Sequence, residues 1–196
     1  MSVTERQAAT GRTALPEGWR YQTDFLSIAQ ERELLQLIAT LPLQAARYRE
    51  WTARRRIVSF GGRYDFSHHR LDPAEPIPAA LEPLRERVAA WGELSAAQLA
   101  HATVAEYQSG TQLGWHRDVP EFEAVLGVSL AGRARMRFRP YPHQKGSRTQ
   151  FVMDLEPRSI YLMRGPVRWR WQHAISATHE LRYSITFRTR RAAPLS

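Results

Sequence analysis

The sequence predicts an α+β fold in which an antiparallel β-structure of the jelly-roll kind is supported by two N-terminal helices. Helical spacing of apolar residues is confined to the first half of the chain. From Ala102 onward, short segments rich in β-branched and aromatic residues alternate with glycine and proline. An open antiparallel sheet of so many strands would leave long unprotected edges, so a closed or double-layered sheet is expected.

The length of 196 residues fits one domain. We expect residues 1–17 to be a flexible polar tail and residues 18–196 to form that domain. No apolar run approaches the roughly 20 residues of a membrane span, and the start of the chain lacks an apolar signal core. We therefore expect a cytoplasmic, monomeric protein that does not bind membranes.

Two helices are predicted before the strand-rich region. The first has Ser27 or Asp24 as a candidate N-cap and Pro42 just beyond its end. The second follows the proline-rich segment 72–78. Apolar residues recur at helical spacing in both, at Phe25, Ile28, Leu34, Leu35, Leu37 and Ile38 in the first and at Leu81, Leu84, Val88 and Trp91 in the second. One face of each helix should pack on the sheet.

Eight strands are predicted in the rest of the chain. Each is a short run of strand-forming residues bounded by turn residues. They are expected at 103–107, 113–118, 124–130, 134–140, 149–155, 159–163, 168–174 and 181–189.

The composition limits the possible chemistry. The chain has no cysteine, which excludes disulfides, thiolate metal sites and cysteine nucleophiles, so nitrogen and oxygen groups must do any chemistry. There are 28 basic against 19 acidic residues, a net charge of +9, and arginine supplies nearly all of the positive charge. Guanidinium groups suit phosphate contacts, so a polyanionic partner is favoured. An arginine-rich proteome is the alternative explanation.

A candidate metal site begins with His116 and Asp118. On a strand these two side chains point to the same face, so they can share one ion. One more histidine would complete the two-histidine, one-carboxylate set that holds non-haem Fe(II). His173 is the candidate, because alternation along 167–173 puts it on the apolar face of a tryptophan-rich strand, where it needs a metal or a hydrogen-bond partner. The histidines in loops are expected to be solvated; they are His68, His69, His143 and His179.

The last predicted strand carries a polar face of Arg182, Ser184, Thr186 and Arg188. If this face is solvated, it is an ordinary exposed strand surface. If it lies inside the sheet structure, the two guanidinium groups need anions, and a dicarboxylate would satisfy both. The short connection from His173 to Arg182 predicts a hairpin that places this face beside the metal ligands.

Together these segments resemble the AlkB-like Fe(II)- and 2-oxoglutarate-dependent dioxygenases, whose core is a double-stranded β-helix. The resemblance spans residues 20–190 and rests on four separated motifs in the family's order, which are Tyr107–Gly110, Trp115–Asp118, His173 and Arg182–Arg188. The segment 57–67 is similar to the family's substrate-side lid.

The resemblance implies a role for each matching residue. His116, Asp118 and His173 would be the catalytic iron ligands. The residues that would line the co-substrate site are Tyr107, Arg182, Ser184, Thr186 and Arg188, with Arg182 pairing with a 2-oxoglutarate carboxylate. In the lid, stacking on a base and contact with phosphates are expected of Arg56, Phe60, Arg63, Tyr64 and Phe66. Alternatively, these aromatics are core and these arginines form a solvated face.

The implied reaction uses Fe(II), 2-oxoglutarate and dioxygen. It is the oxidative demethylation of alkylated, single-stranded nucleic-acid bases, a repair reaction that releases formaldehyde, succinate and CO2. Two positions depart from the family pattern. Ala105 stands where many members have asparagine, and Pro120 stands where the bacterial repair enzyme has a second acid that contacts the base. Two alternatives remain open, which are the same chemistry on a protein or small molecule and a metal-free basic domain that only binds nucleic acid.

Overall fold

A computed structural model describes residues 15–48, 51–65, 70–146 and 150–192 of the chain. Most of the predicted tail lies outside these residues. Its end belongs to the fold, because Pro16 is buried and the carbonyl of Glu17 accepts a hydrogen bond from the Val167 amide at 3.0 Å. Pro16 and Glu17 therefore contact the domain, and the boundary at residue 17 stays a prediction.

Both predicted helices are present. Helix α1 spans Ile28–Thr40 and begins with a capping box, in which Ser27 accepts from the Gln30 amide and the Gln30 side chain accepts from the Ser27 amide. Helix α2 spans Glu82–Trp91. The apolar faces of both helices join one hydrophobic core with the larger sheet. None of the helices in the described part of the chain has the length and apolar character needed to cross a membrane.

Thirteen strands occur among the described residues. Their bounds are β1 Trp19–Gln22, β2 Gln44–Tyr48, β3 Trp51–Phe60, β4 Arg63–Asp65, β5 Arg70–Asp72, β6 Leu99–Tyr107, β7 Leu113–His116, β8 Phe122–Ala131, β9 Ala134–Pro140, β10 Phe151–Leu155, β11 Ile160–Met163, β12 Trp171–Ile175 and β13 Arg182–Arg190. A short helix α3, Pro166–Trp169, precedes β12. The eight strands from β6 onward correspond to the eight predicted ones, and the five before them were not predicted.

Two antiparallel sheets face each other. The major sheet has the order β1-β11-β8-β13-β6-β3-β2, and the minor sheet has the order β10-β9-β12-β7. Strands β4 and β5 form a separate hairpin. A second hydrophobic core fills the space between the sheets, including Phe138, Met136 and Tyr161. The predicted jelly-roll with helical support is confirmed, with α1 and α2 on the outer side of the major sheet.

Two details of the prediction are wrong. Residues 166–169 form a helical turn instead of the start of a strand, so the alternation assumed along 167–173 does not hold and Arg168 turns inward. The predicted hairpin between His173 and Arg182 is also absent, because β12 pairs with β9 and β7 while β13 pairs with β6 and β8. The two strands lie in different sheets and face each other across the interior.

Candidate active site

The three predicted metal ligands meet between the sheets. The ligand atoms of His116, Asp118 and His173 all lie within 4.8 Å of one another. His116 is paired with His173 across β7 and β12, and their ring centroids are 4.2 Å apart. Strand β7 ends at His116, so Asp118 follows the strand instead of lying on it. Its carboxylate still reaches the site, with Oδ2 3.6 Å from Nε2 of His173.

The protonation states suit a divalent cation. Burial lowers the pKa of His116 and lowers that of His173 to about 3, so both imidazoles are neutral at physiological pH. Burial alone would raise the pKa of Asp118, but the charged groups around it, of which Arg188 has the largest effect, together outweigh burial and hold that pKa well below its usual range. His116 Nδ1 lies 2.9 Å from the carbonyl of Gly114, which fixes Nδ1 as the donor and leaves Nε2 for a metal.

Arg188 holds the carboxylate of Asp118. Its Nε donates to Oδ1 of Asp118 at 2.8 Å, while one terminal nitrogen donates to Thr103 Oγ1 at 3.1 Å and lies 3.4 Å from His101 Nδ1. Burial and the Arg188 charge lower the pKa of His101 to about 3, so His101 is neutral and its Nδ1 can accept a hydrogen bond from Arg188. Sequence patterns did not single out the buried His101, because Arg188, which contacts it, lies on a strand distant in sequence.

Arg168 shapes the loop that follows Asp118. One of its terminal nitrogens lies within hydrogen-bond distance of the carbonyls of Asp118, Val119 and Phe122, at 3.1, 2.7 and 2.8 Å. The side chain is buried and its guanidinium lies 4.4 Å from the ring of Trp169. The helical turn α3 therefore directs a guanidinium at the backbone that carries a ligand.

Arg182 forms the second half of the site. The polar face of β13 lies inside the structure, and Arg182 is only 1% exposed. Its Nε donates to Ser129 Oγ at 3.0 Å, and its guanidinium lies 5.0 Å from the ring of Tyr107. Burial would raise the pKa of Tyr107, but the charges of Arg55 and Arg182 outweigh it and lower that pKa. Arg55 also donates to the Tyr107 hydroxyl at 3.3 Å.

Tyr161 reaches this space across a glycine. A Cβ on Gly127 would lie 2.3 Å from the Tyr161 ring, so only glycine leaves room for it. Gly127 is paired with Tyr161 on one side and with Thr186 on the other. Burial raises the pKa of Tyr161 to about 12, so its hydroxyl stays protonated. The remaining polar residues of β13, Ser184 and Thr186, are buried with their hydroxyl oxygens 3.3 Å apart.

These groups fit an iron and a dicarboxylate. Two neutral imidazoles and one carboxylate are the donor set of non-haem Fe(II) sites with open coordination positions. Within the described residues, no carboxylate forms an ion pair with Arg182. A guanidinium buried to this extent needs an anion, and a carboxylate can bind it in a fork. The site thus offers three metal ligands and, beside them, an uncompensated positive charge.

The predicted substrate contacts lie in different parts of the structure. Phe60 is 6% exposed and packs in the core between the major sheet and the helices, where a base cannot stack on it. Arg56 lies on the same face of β3 as Phe60. Its guanidinium donates through Nε and one terminal nitrogen to the two carboxylate oxygens of Glu106, at 2.7 and 2.6 Å. Strand alternation turns these two residues away from the interior, and their role in substrate binding stays a prediction.

The other lid residues lie in or near the β4–β5 hairpin. Tyr64 is half-buried in β4, and Arg63 begins that strand. Phe66 lies outside the described residues, as do His68 and His69. His143 and His179 are exposed as predicted.

Comparison with known proteins agrees with this geometry. A sequence profile of the 2OG-Fe(II) oxygenase superfamily matches residues 18–188. The chain is 29% identical over 174 residues to the alkylated DNA repair protein ALKBH8 homolog of Arabidopsis thaliana, a match that covers 78% of this chain and 49% of the relative. It is 25% identical over 173 residues to the tRNA (carboxymethyluridine(34)-5-O)-methyltransferase ALKBH8 of Mus musculus, covering 85% of this chain and 25% of that protein.

The fold is also shared with a solved structure. The structure of OsALKBH1 superimposes with a TM-score of 0.67 at 16% sequence identity, covering 91% of this chain and 99% of that one. At this identity the match concerns the fold. The chain spans about half of the plant relative and a quarter of the mouse one. The profile match over nearly the whole chain, on a site with the expected donors, shows that the chain belongs to the 2OG-Fe(II) oxygenase superfamily and is an AlkB-like dioxygenase that uses Fe(II), 2-oxoglutarate and dioxygen.

Proposed function

We propose that this dioxygenase oxidatively demethylates alkylated bases in single-stranded nucleic acid. The observation that carries the proposal is the position of Arg182, an uncompensated buried cation on the opposite sheet from the three ligands His116, Asp118 and His173. The nucleic-acid substrate is supported by the net charge of +9 and by relatives named for DNA repair and for a tRNA modification.

Each group of residues has a distinct task in this proposal. His116, Asp118 and His173 would hold Fe(II) on one face. Arg182 would receive one carboxylate of 2-oxoglutarate, with Ser129 fixing the guanidinium through Nε and Tyr107 covering its face. Ser184 and Thr186 lie on the same inner face of β13 and offer hydroxyl groups to the co-substrate. Arg188 completes that face and holds Asp118 in place.

Iron held by His116, Asp118 and His173 would supply the oxidation of a substrate C–H bond by dioxygen, coupled to decarboxylation of 2-oxoglutarate. In that balance one oxygen atom would end in succinate, CO2 would leave, and the other oxygen would end as a hydroxyl on the N-methyl carbon. The resulting N-hydroxymethyl group loses formaldehyde, and the base nitrogen recovers a proton. The protein's own contribution is to exclude water with the apolar residues between the sheets and to keep both imidazoles neutral for binding.

The base would enter from the side of the β4–β5 hairpin. Tyr64, in strand β4 of this hairpin, offers an aromatic ring on which a base can stack. Pro120 is exposed in the loop after Asp118 and has no group that recognises a base by hydrogen bonding. Ala105 lies buried between Tyr107 and Thr103 on β6, so the co-substrate contacts there must come from its neighbours. The proposal therefore assigns base selection to the hairpin and not to the loop.

The test measures formaldehyde and succinate from purified protein supplied with Fe(II), 2-oxoglutarate and oxygen. Oligonucleotides of DNA and RNA that carry an N-methylated base are compared with their unmethylated forms. His116→Ala and Asp118→Ala should abolish turnover, while His179→Ala, an exposed histidine, is the matched control. Formaldehyde in proportion to the methylated strand supports the proposal. Succinate formation that no methylated strand stimulates would reject the substrate and keep the oxygenase chemistry.

A further inference from the structure

The outer side of the minor sheet carries a row of guanidinium and aromatic groups. We call it the Trp115 face, and it consists of Trp115, Arg117, Arg135, Arg137, Arg139 and Tyr141. The inner side of the same strands carries His116, His173 and Phe138, which are mutually in register. Since side chains alternate along a strand, the residues between them point outward. The active site and the Trp115 face therefore lie on opposite sides of one sheet layer.

Packing on this face is specific. Ala174 is paired with Arg137 and lies on the strand between Trp115 and that arginine. The small side chain leaves room for the Trp115 indole to lie across the strand. The Arg139 guanidinium is 4.4 Å from the indole centre, and that of Arg137 is 5.0 Å from it. The Arg117 guanidinium lies 3.7 Å above the ring of the exposed Tyr141.

The positive charge of this face is poorly neutralised by the protein. Arg135 pairs with Asp154 at 2.8 Å. Arg139 donates to the neutral amide of Gln172 at 2.8 Å. Across the described part of the chain, neither Arg137 nor Arg139 has an ion pair with a carboxylate, and Nε of Arg137 has no hydrogen-bond partner. The two guanidinium groups that flank Trp115 are therefore held by contact with the indole and, for Arg139, by Gln172, and within the described residues neither has a counter-charge.

Another arginine–tryptophan pair in the same protein provides a contrast. The Arg20 guanidinium lies 4.4 Å from the ring of Trp91, and it also forms an ion pair with Glu93 at 3.0 Å. That pair is complete within the chain. The absence of such an acid at Arg137 and Arg139 indicates that the anion comes from outside the described residues.

We propose that the Trp115 face binds the sugar-phosphate backbone of a single-stranded nucleic acid beside the base that enters the active site. The inference rests on the proposed function, since it takes the substrate to be a strand and not a small molecule. Alternate residues on a strand lie about 6.7 Å apart, so Arg137 and Arg139 offer two phosphate donors at roughly that spacing. Aromatic rings between basic groups are the arrangement by which proteins bind single strands without reading their sequence.

The position of β7 connects the face to the active site. This strand is the edge of the minor sheet, and Trp115 directly precedes the ligand His116. A single-stranded nucleic acid with one base turned into the active site can thus pass over the β7 edge and continue along the outer side of the minor sheet. Fixing the flanking backbone would orient the base for reaction, a contribution of positioning and not of chemistry.

The test measures binding without turnover. A fluorescently labelled, unmethylated 15-nucleotide RNA or DNA is titrated with protein that carries 2-oxoglutarate and Fe(II) under anaerobic conditions. The double variant Arg137→Gln/Arg139→Gln is compared with wild type, and Arg20→Gln is the matched control for loss of a stacked arginine. Loss of two phosphate contacts should reduce the slope of log K against log salt by about 1.4. We expect affinity to fall roughly tenfold for the double variant and to stay within a factor of two for the control.

The outcomes separate this inference from the proposed function. A double variant that binds either strand as wild type does would overturn the Trp115 face, as would a wild type that binds neither. A poly-glutamate peptide that binds with the same affinity as the oligonucleotide, and loses that affinity in the double variant, would also overturn the proposal. The face would then not be specific for nucleic acid. Substrate-independent succinate formation should be the same in wild type and double variant, which confirms an intact site. If no methylated oligonucleotide yields formaldehyde but the double variant binds more weakly than wild type, the proposed demethylation is wrong. Nucleic-acid binding by the Trp115 face is then still supported.

Discussion

Arg188 and Asp118, 70 positions apart in the chain, are joined by a hydrogen bond of 2.8 Å from Nε to Oδ1. The contact puts a permanent cation on a carboxylate that would hold the metal. It also leaves Oδ2 directed toward His173, at 3.6 Å from Nε2. The orientation of one proposed ligand is thereby set by a residue on the opposite sheet.

Replacing Arg188 should weaken metal binding. In Arg188→Gln the buried carboxylate loses its main source of charge compensation, and its orientation is no longer fixed. Loss of such an outer contact typically costs 10- to 100-fold in metal affinity. Titration of the metal-free protein with Mn(II) or Co(II) measures this. Arg190→Gln, on the exposed end of the same strand, is the control, and equal affinity in the two variants would contradict the role of Arg188.

Replacing Arg182 should weaken 2-oxoglutarate binding and leave metal binding intact. Arg182→Gln removes the buried charge that would meet the carboxylate, a charged hydrogen bond worth about 1.5–3 kcal/mol, or roughly 10- to 150-fold in affinity. Calorimetric titration of 2-oxoglutarate into Mn(II)-loaded protein gives this number directly. Tyr183→Phe changes the next residue on the opposite face of β13 and should have little effect. Unchanged 2-oxoglutarate affinity in Arg182→Gln would mean that the co-substrate binds elsewhere.

Replacing Arg168 should loosen the loop after Asp118. In Arg168→Met the carbonyls of Asp118, Val119 and Phe122 lose their shared donor in a buried setting. We expect the free energy of unfolding to fall by about 2–4 kcal/mol, since each buried acceptor left without a partner costs about 1–3 kcal/mol. Urea denaturation of the metal-free protein measures the change. Arg170→Met, an exposed neighbour, should stay within about 0.5 kcal/mol of wild type, and a similar result for Arg168→Met would rule out this role.

The metal-free protein should lose stability as the pH falls below 6.5. The pKa of His101 is about 3 in the folded protein, against about 6.5 for a solvated histidine side chain. Between these values the unfolded chain binds a proton that the folded protein does not, so the free energy of unfolding falls with decreasing pH. The slope is up to about 1.4 kcal/mol per pH unit for each such histidine. His173 adds to the effect because its pKa is also about 3.

The contribution of His101 can be separated by substitution. His101 faces Arg188 and the carbonyl of Gly62, with the charges of Asp118 and Arg190 nearby. In His101→Gln the unfolded chain has one proton fewer to gain, so the pH dependence between 6.5 and 4 should become shallower. Urea unfolding at a series of pH values shows the slope. His179→Gln, at an exposed site, should leave it unchanged, and an equal slope in wild type and His101→Gln would contradict the assignment.

The sequence alone determined the local features and the chemistry of the site. The cap at Ser27 and strand β9 follow from patterns within about ten residues, and both occur where predicted. The choice of His116, Asp118 and His173 followed from residue types and motif order. Such features are encoded locally, because alternation, capping and ligand chemistry depend on neighbours along the chain.

Tertiary structure decided which side chains meet. The partners of Arg182 and Arg188, namely Ser129, Thr103 and His101, lie on other strands, and no local pattern shows the pairing that brings them together. Phe60 and Arg56 are residue types that can stack on a base or bind a phosphate. The register of β3 on β6 instead turns Phe60 toward the helices and Arg56 toward Glu106. Likewise Arg168 faces inward because a glycine–proline turn replaces strand with helix. A shift of one residue in register moves a side chain to the opposite face of a sheet, so the interior of this site depends on strand pairing that only the folded chain defines.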